Sequence, residues 1–236
     1  MFFDPVYWLM IGAIVLISGL ASTATRRAFN KYSKVPMRRG MTGADVAAAI
    51  LRANQIHDVK IEAIGGRLSD HYDPRNKTLR LSEPVFGARS LAAAGVAAHE
   101  VGHAIQHARG YAPLRFRSAW VPVAGFGSNI SWLLLIGAMF MGGAQTAMGS
   151  NLALAGVVLF AATTVFTLIT LPVEFDASRR AIRTLEEQHI LAQDEIGGAK
   201  AVLNAAALTY VAAAAASILT LLYWAWRLGL IGGRRG

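Results

Sequence analysis

The 236-residue chain contains no cysteine. That excludes disulfide staples, thiol nucleophiles and every cysteine-ligated zinc or iron-sulfur site, so a metal could be held only by His, Asp or Glu. Charge is scarce too: 16% of the residues are charged and 54% hydrophobic, where soluble domains carry roughly a quarter charged. Acids are the scarcer sign, 14 Asp and Glu against 23 Lys and Arg, which leaves a net charge of +9. Such a balance can signal nucleic acid, but 16 of the 23 basic residues lie between Arg26 and Arg117, interleaved with acids and clustered only in pairs such as Arg26-Arg27 and Arg38-Arg39. Membrane topology and anionic lipid explain that distribution better, and no nucleic-acid partner is expected.

What the chain has in abundance is long apolar runs, and a bilayer takes about 20 such residues. Four qualify. Val6 to Thr25 follows Phe2-Phe3-Asp4-Pro5 with no basic residue before it, and reads as an uncleaved anchor, with a signal peptide as the alternative. Ala119 to Ala144 is interrupted early by Pro122, Ser128, Asn129 and Ser131, Leu152 to Leu171 is cleanly apolar and is expected to end at Pro172, and Ala205 to Leu230 closes with Tyr223, Trp224 and Trp226, as an interfacial belt would. Between the spans, 16 Lys and Arg fall in 26–118 and four (Arg179, Arg180, Arg183, Lys200) in 173–204. The positive-inside rule then puts the N-terminus outside and both polar segments in the cytoplasm, with Arg234-Arg235 on the unfavoured side unless the fourth run is re-entrant.

The segment 26–118 can carry a small α+β unit. Thr42-Gly-Ala-Asp45 has capping-box form and opens an amphipathic helix that ends near Asn54. Val59, Ile61 and Ala63 alternate with Lys60 and Glu62, and Thr78-Leu79-Arg80-Leu81 alternates again after the turn Pro74 to Lys77, which predicts a sheet of two or three strands. Ser90 to Ala108 is rich in helix formers and Gly110 is a stop signal.

That helix contains His99-Glu100-Val101-Gly102-His103. Positions i and i+4 share one helix face, so the two imidazoles converge on a single ion, and Glu100 projects beside them to take a proton from an activated water. His107 is about 12 Å from His99 by helix rise and cannot join the same ion. A catalytic zinc takes three protein ligands, so the third must come from elsewhere. Glu174 is the best candidate, two residues past Pro172 on the same membrane side, and Asp176 is a candidate for orienting a ligating imidazole. His71, Tyr72, Arg179 and Tyr210 are candidates for an oxyanion donor. His57 reads as solvated, His189 as a helix C-terminal cation, and His107 as a packing or hydrogen-bonding group behind the site.

Leu68 to Glu83 (LSDHYDPRNKTLRLSE), Ala97 to Ala108 (AAHEVGHAIQHA) and Thr170 to Ala181 (TLPVEFDASRRA) resemble the signature blocks of the YugP-like neutral zinc metallopeptidases of bacterial membranes. The similarity runs from Asp4-Pro5 through KYSKVP (Lys31 to Pro36) to AALTYVAAA (Ala206 to Ala214). The resemblance implies a zinc-dependent membrane peptidase with one Zn2+ per chain, ligands His99, His103 and Glu174, and Glu100 as catalytic base. More distantly the pattern resembles the HtpX-like and CAAX prenyl protease gluzincins, whose E-x-x-A-D motif supplies the third ligand. Ser178 stands where those relatives have Asp, which leaves the orienting role to Asp176, to Ser178 or to neither. By the same resemblance, the strand Thr78 to Leu81 is expected to align substrate backbone as an edge strand.

The expected fold is a predominantly α-helical integral membrane protein with about four transmembrane helices and a small α+β cytoplasmic zincin-like catalytic domain. The expected segments are an anchor (1–25), the α+β domain (26–118), a transmembrane hairpin (119–172), a cytoplasmic helical segment (173–204) and a fourth span with a basic tail (205–236). The expected activity is endopeptidase hydrolysis of membrane-associated or misfolded proteins at the cytoplasmic face of the cell membrane, with protein or peptide substrate and the lipid bilayer as partners and homo-oligomerisation left open. The alternatives are a non-enzymatic scaffold with a structural zinc and an intramembrane site-2-type protease.

Overall fold

The computed structural model describes residues 4–229 and 231, and leaves out the side chain of Ala144. Phe2, Phe3, Leu230 and the pair Arg234-Arg235, used above to argue topology, lie outside the described residues. The element order is α1 (Pro5–Tyr32), α2 (Gly43–Ala53), β1 (Lys60–Ile64), β2 (His71–Asp73), β3 (Thr78–Ser82), α3 (Glu83–Phe86), α4 (Leu91–Ala108), α5 (Ala112–Phe140), a 3-10 turn (Gly143–Gln145), α6 (Ala147–Glu187) and α7 (Gln193–Arg227). The protein is mostly helical, with a small sheet and four helices, α1, α5, α6 and α7, long and apolar enough to cross a membrane.

The chain divides into two compact units. One comprises residues up to Gly19, Phe116–Leu171 and the chain from Tyr210 onward. Its large apolar side chains point outward to a degree no aqueous surface would favour: Leu9 is 74% exposed, Phe126 73% and Phe140 85%. Inside it, Leu135, Val157, Tyr223 and Trp224 form a cluster, and the hydroxyls of Thr164 and Ser217 meet at 2.8 Å, a polar contact that suits helices packed in an apolar solvent.

The other unit comprises Leu20–Arg115 and Pro172–Thr209. Thr42 Oγ1 accepts from the Asp45 backbone N–H while the Asp45 carboxylate accepts from the Thr42 N–H, the expected capping box, and Asn54 ends the helix. Val46, Ile50 and Leu51 of α2 are buried in one core with Leu79, Leu81 and Val85. The alanines of α4 let its neighbours approach closely; Ala92, Ala93, Ala94, Ala97 and Val101 are all 0% exposed. Ser90 caps α4 through the Ala93 N–H, and Gly110 follows its end with φ +62°.

Two expectations are corrected. Pro172 does not end the third run; α6 continues through it to Glu187. A proline removes one backbone hydrogen bond and crowds the preceding turn, a cost a long helix can absorb when its flanks pack. At 41 residues α6 is about 60 Å long, twice the hydrocarbon thickness, so half of it extends beyond the apolar run. Second, the strand Thr78–Ser82 is not at an edge. The sheet order is β1-β3-β2, with β3 parallel to β1 and antiparallel to β2, so Thr78, Leu79 and Arg80 are flanked by a strand on both sides and β3 is the central strand of the sheet. Sequence alternation identifies a strand but carries no information on its place in the sheet.

Candidate metal centre

The site lies within the unit of Leu20–Arg115 and Pro172–Thr209. Helix α4 presents His99 and His103 one turn apart, their ring centroids 4.8 Å from each other. Helix α6 presents Glu174, 3% exposed, with Oε2 3.2 Å from His99 Nε2 and 3.4 Å from His103 Nε2. One ligand atom from each of the three residues falls within 4.8 Å of the other two. The approach depends on Gly102, where a Cβ would lie 2.5 Å from the Ala177 carbonyl oxygen; lacking one, α4 lies backbone to backbone on α6.

The surrounding hydrogen bonds hold the rings by their far nitrogens. His99 Nδ1 is 3.0 Å from Ser178 Oγ, and His103 Nδ1 is 3.0 Å from Gln106 Oε1. Gln106 donates through Nε2 to the Val173 carbonyl and to Asp176 Oδ2, each at 2.8 Å, and Arg180 Nε donates to the same Asp176 oxygen at 2.6 Å. Burial works against the His103 imidazolium, yet the Glu174 hydrogen bond and charge outweigh it and raise the ring above the ordinary histidine value. Burial likewise opposes the Glu174 carboxylate, which lies past the apolar run on α6, and the hydrogen bonds from His103 and His99 hold it far below the usual carboxylate range. Glu100 is 8% exposed and makes no hydrogen bond among the described residues.

The family profile described as "Putative neutral zinc metallopeptidase" matches residues 7–229. This chain belongs to that family. It is also 47% identical over 194 residues, 82% of this chain and 84% of the relative, to a Bacillus subtilis (strain 168) protein named "Putative membrane protease YugP". No solved structure matches the chain.

For a member of the zinc metallopeptidase family the donor set is apt. Two imidazoles and one carboxylate suit zinc, and among the described residues no fourth His, Asp or Glu joins the group, which leaves room for water. His107 is not in the group; its Nδ1 lies 2.8 Å from the Tyr72 hydroxyl, whose pKa burial and the Asp58 and Asp73 charges push up to about 12. Of the other oxyanion candidates, His71 donates from Nδ1 to the Ser69 carbonyl at 2.8 Å, Arg179 is exposed on α6, and Tyr210 is half-buried on α7. His57 is exposed. His189 is exposed just beyond α6 with φ +49°, and its backbone carbonyl accepts from Arg39 Nη1 at 3.1 Å.

Asp176 reaches His103 only through Gln106, and Ser178 meets His99 directly. Gln106 went unnoticed in the sequence. Its signal was available: a polar residue three positions after His103, on the same face of a helix whose other residues, the histidines and Glu100 apart, are small or apolar.

Proposed function

We propose that the chain is a zinc-dependent membrane endopeptidase that cuts membrane-associated or misfolded proteins at the cytoplasmic face of the cell membrane. One zinc ion per chain is held by His99, His103 and Glu174. When bound, the ion supplies Lewis-acid activation of the water nucleophile and of the scissile carbonyl. The Glu100 carboxylate takes the proton from the attacking water and returns it to the departing amide nitrogen, the exchange that drives general acid–base hydrolysis.

The observation that carries this reading is Glu100. Glu100 is mostly buried beside the two imidazoles, yet its carboxylate oxygens are not closed off from solvent and no hydrogen bond among the described residues ties them down, which suits a group that must stay free to accept a substrate-side proton. A structural zinc would use a fourth protein donor and have no task for Glu100. An intramembrane site is disfavoured because α4, besides its contacts with α6 and α7, packs on α2, α3 and the strands β2 and β3 of an α+β unit. The Lys and Arg of 26–118 and 173–204 support the cytoplasmic side by the positive-inside rule.

The test pairs metal content with hydrolysis of casein by the detergent-purified chain. Wild type and Glu100→Gln are expected to hold about one zinc while the variant loses roughly 10²- to 10⁴-fold in turnover. Glu174→Ala is expected to lose the zinc. A Glu100→Gln chain that hydrolyses casein like wild type sinks the proposal.

A further inference from the structure

The geometry points to Gln106 as a positioning residue that sets which nitrogen of His103 is available to a metal. The inference rests on the metal-centre reading above, but its starting point is the hydrogen-bond inventory of one amide. Gln106 is 0% exposed, so every polar atom must find its partner inside the protein. A glutamine amide has two N–H donors and one carbonyl acceptor. Nε2 lies 2.8 Å from the Val173 carbonyl and 2.8 Å from the Asp176 carboxylate, and neither can donate in return. Both amide hydrogens are thereby committed. Turning the amide over would set its oxygen against those two acceptors and forfeit both bonds, so the orientation is imposed from outside.

Oε1 is then the atom left for His103 Nδ1, at 3.0 Å. An amide oxygen only accepts, so Nδ1 must carry the hydrogen. Nε2 faces another acceptor, Glu174 Oε2 at 3.4 Å, so without a metal both nitrogens have a call on a proton; a bound metal takes the place of the one on Nε2, because Gln106 retains the one on Nδ1. Asp176 is itself anchored by Arg180 Nε at 2.6 Å, and the Arg180 guanidinium lies over the Tyr111 ring, 5.6 Å from its centroid. The order of command runs Tyr111, Arg180, Asp176, Gln106, His103.

His99 is held differently. Its Nδ1 meets the Ser178 hydroxyl, which can donate or accept, so that contact steadies the ring without dictating its tautomer. The two imidazoles are thus unequal: His103 is preset and His99 is free to adapt. A preset ligand loses less freedom on binding a metal, and groups in this position typically change metal affinity about 10- to 100-fold when removed.

The test uses the full chain in detergent with ¹⁵N-labelled histidine. In wild type with zinc supplied, His103 is expected with its proton on Nδ1 and the metal on Nε2. Gln106→Met keeps the side-chain volume and removes the acceptor; it should give a tautomer mixture and a zinc dissociation constant about 10- to 100-fold weaker by chelator competition, with turnover at saturating zinc changed far less. Asp176→Asn, whose amide oxygen can take the same two donors, should stay near wild type in both readouts. A wild-type His103 protonated on Nε2 instead of Nδ1 overturns the inference even if Gln106→Met fails to fold, and so does a folded Gln106→Met with wild-type spectrum and affinity. A wild-type chain that carries the Nδ1 proton but binds no zinc would support the tautomer assignment and overturn the metal-centre reading.

Discussion

A Cβ on residue 102 would sit 2.5 Å from the carbonyl oxygen of Ala177, closer than any real contact, so Gly102 and Ala177 set the spacing of α4 and α6. Because the obstacle is backbone, a larger residue cannot be accommodated by a rotamer change. Gly102→Ala should push the helices apart, destabilise the fold by about 1–3 kcal/mol and weaken zinc binding, since the His pair and Glu174 come from opposite sides of that contact. Thermal unfolding and zinc titration on the same sample check it; unchanged zinc affinity would show that the contact does not govern the ligand spacing.

Ser178→Ala removes the His99 Nδ1 contact at 3.0 Å and leaves the helix intact. Zinc affinity is expected to fall by about tenfold, the low end for outer hydrogen-bond partners, because the hydroxyl steadies the ring without imposing its tautomer. Ser178→Asp offers a stronger acceptor and is expected to bind zinc at least as tightly as wild type. Chelator competition on the three chains gives the order.

The raised pKa of His103 sets a pH dependence for the metal-free chain. A group whose folded pKa is raised stabilises the fold fully below its unfolded value, about 6.5, and loses that stabilisation as pH rises through the folded value. The EDTA-treated protein should therefore lose thermal stability as pH climbs above neutrality. His103→Asn should flatten that part of the curve. With zinc present the trend should reverse, because metal and proton compete for the ring, and zinc at about a hundredfold over its dissociation constant adds about 2.7 kcal/mol.

Thr42→Ala removes the side-chain half of the capping box on α2. It should cost about 1 kcal/mol, read by denaturant or thermal unfolding, and leave zinc affinity untouched, because α2 contributes no side chain to the His99, His103 and Glu174 group. A loss of zinc affinity in this variant would mean that α2 controls the position of α4 more tightly than its packing suggests.

Local chemistry was enough to read the His99-Glu100-Val101-Gly102-His103 helix, its Ser90 start and Gly110 stop, the Thr42 cap and the four apolar runs, because each depends on residues a turn or two apart. Periodicity and capping are short-range properties, and the sequence determined them by itself. Glu174 was within reach only as a candidate, since nothing local says which acid meets a helix 75 residues away. The fold decided what depends on separation in space. It carried α6 through Pro172, put β3 between β1 and β2, and brought Ser178 to His99 and Gln106 to both His103 and Asp176. Strand order and buried hydrogen-bond partners are chosen by packing, where an unpaired polar group costs more than any local preference returns, and that choice is made only when distant segments meet.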